Sequence, residues 1–160
     1  MSAEEFGKQK TNCKSKWIAV VTTDLEDQSL EPCLPSQGKG MPLLVFEYLY
    51  RDASNHKAFG DIWLTGSLLD QERAALVGNL ESGEFFVAEQ IGVPPLYEEL
   101  FKESGGRTQD DHAWHTFAGL RDETGLPSEV SVWGKATDLL AVIGTVKREW
   151  KPQLSPNFDW

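Results

Sequence analysis

The chain has 160 residues, with 25 Asp and Glu against 15 Lys and Arg, for a formal net charge of -10 at pH 7. That length suits one ordinary domain, and 40% hydrophobic residues, including six Trp and eight Phe, supply enough apolar surface to exclude a disordered chain. Nucleic-acid binding rests on cations that neutralise phosphates, so the negative field argues against it, and equally against an anionic membrane surface.

Residues Met1–Lys10 are polar and lack the apolar segment of a secretory signal. No run approaches the roughly 18 apolar residues that a membrane span needs. The cytoplasm is the expected location. Cys13 and Cys33 stand alone, without the companion pair of a zinc site or a disulfide framework, and are expected as reduced thiols. Residues 1–40 read as an N-terminal extension, with one buried strand at Trp17–Val21 and a long Pro- and Gly-containing loop from Thr22 to Gly40. A core domain follows over 41–160.

Leu43 to Arg51 is the clearest strand. Leu44, Phe46, Tyr48 and Tyr50 alternate on one face with Val45, Glu47, Leu49 and Arg51 on the other. Asp52-Ala53-Ser54-Asn55 is turn chemistry, and Phe59–Thr65 resumes extended character, so the two runs predict a hairpin with a loop of about five residues. Asp70 is the expected N-cap of a helix to about Leu80, stopped at Gly83. Glu84–Ala88 predicts a strand. Pro95 suits the first position of a helix through Leu100 and Phe101, closed by Gly105-Gly106. Ala113–Leu120 predicts another strand. Leu139, Val142, Ile143, Val146 and Trp150 follow a 3.6-residue period and predict a final helix over Asp138–Trp150.

Hairpin-linked strands mixed with helices point to the α+β class, a mainly antiparallel sheet with helices packed on one face. The opposite face, with a row such as Val45, Leu49 and Trp63, is then either an interaction surface or covered by another part of the chain.

Three groups of residues could carry chemistry. Asp110-Asp111-His112-Ala113-Trp114-His115 gathers acid/base groups and metal ligands in six positions. In an enzyme, His115 would be base or ligand and Asp110 and Asp111 ligands or orienters, with Asp111 and His115 as the catalytic pair and His112 and His115 as candidate metal ligands. On a strand, however, the i and i+3 rings point to opposite faces. The alternative is an acidic loop, with His112 at the strand entry, leading into a strand whose His115 is half-buried and hydrogen-bonded. The second group is Arg51, Asp52, Asn55 and His56 at the hairpin tip, a polar loop able to bind a polar ligand or simply to make the turn.

The third is an acidic stretch containing Glu81, Glu84, Glu89, Glu98, Glu99, Glu103, Asp110 and Asp111, against only Lys102 and Arg107. With Tyr97, Phe101, Trp114 and Trp160 as aromatic anchors, such a surface could dock on a basic protein. From Met41 onward there are 19 acids and 10 bases, so the charge belongs to the core.

No phosphate-binding loop, dinucleotide fingerprint, nucleophile elbow or H-E-x-x-H motif occurs. Phe46-Glu47-Tyr48-Leu49-Tyr50-Arg51-Asp52-Ala53, with Asn55 and Lys57, resembles the opening of a group of small bacterial proteins. Trp114-His115 and Phe117 resemble a later part of the same pattern. The resemblance covers residues 43–120, implies no activity, and favours a bacterial or phage origin. The leading expectation is a non-enzymatic, acidic binding module of the inhibitor, immunity or accessory kind, without a cofactor and with a basic protein as partner. The alternatives are a hydrolase using Asp110, Asp111, His112 and His115, with room for a divalent metal, and an oligomer-forming structural protein.

Overall fold

The computed structural model of the protein describes residues 40–158. The expected strand at 17–21, both cysteines and Trp160 lie outside that range. The described residues form an α+β fold. A five-stranded sheet with the order β3-β4-β1-β2-β5 is accompanied by four α-helices.

β1 (Leu43–Arg51) and β2 (Lys57–Thr65) make the predicted hairpin, paired from Leu43↔Thr65 to Arg51↔Lys57 around a five-residue connection. Alternation then sends Leu44, Phe46, Tyr48 and Tyr50 into the main core. There they join Ile62 and Leu64 of β2, Leu76 of α1 (Asp70–Gly78), Ile91 of α2 (Ala88–Ile91) and Tyr97 of α3 (Tyr97–Ser104). Leu139, Ile143 and Val146 of α4 (Ala136–Val146) complete the cluster. Phe46 sits at its centre, with the ring of Phe86 at 5.6 Å edge-on and that of Phe117 at 5.1 Å. On the opposite face Leu43, Val45 and Trp63 form a second, smaller buried cluster with Val130 against it. Of the row Val45, Leu49 and Trp63, Val45 and Trp63 are therefore buried, and Leu49 is part-exposed.

β3 (Phe85–Val87) pairs antiparallel with β4 (Trp114–Glu123), which in turn pairs antiparallel with β1. β4 runs three residues past the predicted Leu120. The backbone ladder continues through Arg121, Asp122 and Glu123 opposite Val45, Leu44 and Leu43, although the hydrophobic signal has stopped. β5 (Val132–Lys135) was not predicted. It is four residues long and pairs parallel to β2, which makes the sheet mixed.

Helix ends also move. Leu69, not Asp70, is the N-cap of α1, because the Glu72 carboxylate accepts the Leu69 N–H at 2.7 Å. α4 stops at Val146, where Lys147 and Arg148 turn left-handed (φ 46° and 65°). Trp150 thus leaves the helix that its spacing suggested. Its Nε1–H donates to the Asn79 carbonyl at 3.1 Å, while Arg148 Nε–H donates to the Gly78 carbonyl at 2.6 Å, so both close the end of α1.

Candidate functional site

The hairpin tip is built by its own sequence. Asn55 takes a left-handed conformation (φ 72°), which Asn tolerates, and its N–H donates to the Asp52 carbonyl at 3.0 Å. The Asp52 carboxylate then accepts twice from His56. Oδ1 receives the backbone N–H at 2.7 Å, and Oδ2 lies 2.8 Å from Nδ1 of the ring. Burial opposes the charge on Asp52, yet the hydrogen bonds from His56 prevail and lower its carboxyl. His56 is raised in turn, first by that hydrogen bond and by the Asp52 charge, then by Asp110 and Glu103.

The tip docks onto the loop that precedes β4. Ala53 N–H donates to the Asp110 carbonyl at 2.9 Å, and Ser54 Oγ donates to Asp110 Oδ2 at 2.5 Å. Underneath, the Tyr50 hydroxyl donates to Asp111 Oδ1 at 2.9 Å and accepts the His112 N–H at 2.9 Å. Asp111 Oδ2 accepts from both the backbone and the hydroxyl of Thr108, at 2.7 and 3.1 Å. The hairpin loop and the Asp110-Asp111 segment, separate in the sequence, thereby share one cleft of about 240 Å³. Asp52, His56, Glu103, Asp110 and Asp111 line it together with Leu100, Ser104 and Thr108, and no Lys or Arg does. Chemically it presents carboxylates and one oriented, exposed imidazole.

The other histidines do not join it. His115 is 0% exposed, and its Nε2 accepts the Leu96 N–H at 3.0 Å. Burial pushes its pKa down to about 4. The expected role as base or ligand has no access to solvent here, and the ring is a neutral part of the core. His112 is part-exposed and its Nδ1 accepts the Trp114 N–H at 3.2 Å. Among the described residues no group of three or more His, Cys, Asp or Glu is placed to hold a metal ion.

The acidic stretch is divided. Glu103, Asp110 and Asp111 face the cleft. Glu98 and Glu99 are exposed in the first turn of α3, and Glu99 pairs with Lys102 at 2.7 Å. Glu81 lines a different depression with Phe85, His112 and Trp114, and Glu84 is exposed in the adjoining turn. Glu89 accepts the Tyr97 hydroxyl at 2.6 Å. Tyr97, expected as a surface anchor, is 3% exposed and belongs to the core; Phe101 stacks at 5.3 Å from it and is part-buried. Arg51 is exposed beside Lys57 at the base of the tip.

Sequence reasoning passed over Glu47, Phe59 and Asp61. The hairpin register brings Glu47 opposite Asp61, and leaves Phe59 71% exposed. The five-residue loop already implied that register, so the pairing was recoverable from the hairpin prediction.

No family model, curated protein or solved structure matches this chain. Among the described residues no helix is long and apolar enough to cross a membrane.

Proposed function

We propose that this protein is a non-catalytic binding module that docks on a basic surface of another protein, as an inhibitor, immunity or accessory protein of a bacterial or phage conflict system, in the cytoplasm. In this reading the helices lie on one face of the sheet and leave part of the other free, and the carboxylate cleft at the hairpin tip supplies the polar contact. The observation that carries it is the cleft itself, four carboxylates converging from three chain segments without a lysine or arginine among its walls. A cationic side chain or segment is its complement.

The test is capture of basic proteins by the immobilised full chain at low and raised ionic strength. Capture should fall by roughly tenfold between about 0.05 and 0.3 M salt. A variant carrying Asp52→Asn, Glu103→Gln and Asp110→Asn should capture less at every salt concentration. Capture indifferent to both salt and these substitutions removes the reading.

One observation favours a second, hydrolytic reading. The exposed His56 ring is oriented through Nδ1 by Asp52, the arrangement of an acid/base imidazole. The work would then fall to His56 rather than His115. A panel of ester, amide and phosphoester substrates, with His56→Ala as control, separates the two readings.

A further inference from the structure

We infer that the groove on the open face of the sheet, beside Phe59 and between Glu47 and Asp61, anchors a lysine or arginine side chain of the basic partner. This rests on the docking function proposed above. Docking through charge alone raises association rate and selectivity, whereas an aromatic anchor supplies most of the affinity. Of the anchors suggested by the sequence, Tyr97 is buried and Phe101 and Trp114 are partly covered, while Trp160 lies outside the described residues. Phe59 is the most exposed aromatic side chain among the described residues.

The geometry selects a cation with an apolar stem. Strand register sets Leu49 opposite Phe59 and, one pair along on the same face, Glu47 opposite Asp61. Like charges directly across a ladder repel. Arg121 Nε relieves only one of them, at 3.0 Å from Glu47 Oε1, and the same guanidinium also serves Glu123. The β1–β4 register slips between Glu47 and Tyr48, which leaves Ala118 as an unpaired bulge residue lining the groove. The resulting groove, about 470 Å³, is lined by Glu47, Phe59, Asp61 and Ala118 with Tyr48 and Gly60. A bare cation would find two carboxylates but nothing to use the aromatic and alanine surface. A lysine or arginine side chain would lay its stem on Ala118 and Phe59 and bring its charge to Asp61, where ring and carboxylates both favour it.

The test uses the full chain, isotope-labelled, titrated with an oligo-arginine peptide at low salt. Amide shifts should centre on Glu47, Leu49, Phe59, Asp61 and Ala118. Phe59→Ser and Asp61→Asn should each weaken the Kd by about fivefold or more, and Phe59→Tyr should largely keep it. Both residues are exposed, so the variants should fold; a native spectrum verifies this. Shifts confined to Asp52, Glu103 and Asp110, with a Kd indifferent to Phe59 and Asp61, overturn the groove but leave the docking function standing. No binding at low salt overturns both. A concentration-dependent dimer that Phe59→Ser abolishes gives the groove to a second copy of the chain, and also overturns the inference.

Discussion

The backbone N–H of Leu96 donates to Nε2 of His115 at 3.0 Å, and the ring it holds is 0% exposed. Accepting through Nε2 leaves the proton on Nδ1 and keeps the imidazole neutral. Burial lowers its pKa from an ordinary 6.5 to about 4. The unfolded chain therefore binds more protons than the folded one between those values. Stability is full above pH 6.5 and is lost as pH falls toward 4, by roughly 3 kcal/mol when complete. Urea unfolding at pH 7 and pH 4.5 checks this. The native chain should lose about 2 kcal/mol more than a His115→Gln variant over that interval. Equal losses in the two proteins would show that His115 does not carry the dependence.

His56 should behave in the opposite sense. Its hydrogen bond to Asp52 and the surrounding carboxylates raise its pKa in the folded protein. The stabilisation is complete below the unfolded value and disappears as pH rises through the raised one. Following the ring protons by NMR, the midpoint should lie above about 6.5 and return toward it in Asp52→Asn. Raised salt should lower it as well, because the ring is exposed and its neighbours are screened. An ordinary midpoint in the native chain, or one unmoved in Asp52→Asn, contradicts the pairing.

Gly60 should resist enlargement for one identifiable reason. A Cβ placed there would come within 2.6 Å of Leu96 Cδ2. Gly60→Ala is expected to cost about 1–3 kcal/mol, since Leu96 is itself packed in the core. Trimming the obstacle should return part of that cost. In a double-mutant cycle with Leu96→Ala the two changes should couple by at least about 0.5 kcal/mol, measured by denaturant unfolding. Simple additivity would place the strain elsewhere.

Tyr50 and Tyr48 look alike in sequence but should respond differently to loss of the hydroxyl. Tyr50 bridges a carboxylate and a backbone N–H, Asp111 and His112, whereas Tyr48 donates only to the Pro94 carbonyl at 2.8 Å. Tyr50→Phe leaves two groups to find other partners and should cost about 1–3 kcal/mol; Tyr48→Phe should cost about 1 kcal/mol. It should also loosen the cleft. Hydrogen exchange at the Ala53 amide, which donates to Asp110, should quicken in Tyr50→Phe and stay unchanged in Tyr48→Phe.

Much of the fold was legible because periodicity is a local property. The β1 face of Leu44, Phe46, Tyr48 and Tyr50 follows from alternation alone, and the left-handed Gly105 (φ 79°) closes α3 where glycine was read as a stop. β5 was not legible. Four residues, Val132–Lys135, carry too short a pattern, and their pairing with β2 is long-range. The reach of α4 was misjudged for a related reason. Trp150 keeps helical spacing but spends its indole on Asn79, a contact that competes with continuing the helix.

The amino-acid order by itself determined the strand faces, the hairpin with its five-residue tip, and an excess of carboxylates in the core region, because each depends on neighbours in the chain. Folding in three dimensions decided which of those groups meet. It joined the Asp52–His56 tip to Asp110 and Asp111 around one cleft, withdrew His115 into the interior, and left Phe59 uncovered. Those outcomes turn on sheet order and desolvation, quantities that belong to the assembled packing and to no single stretch of sequence.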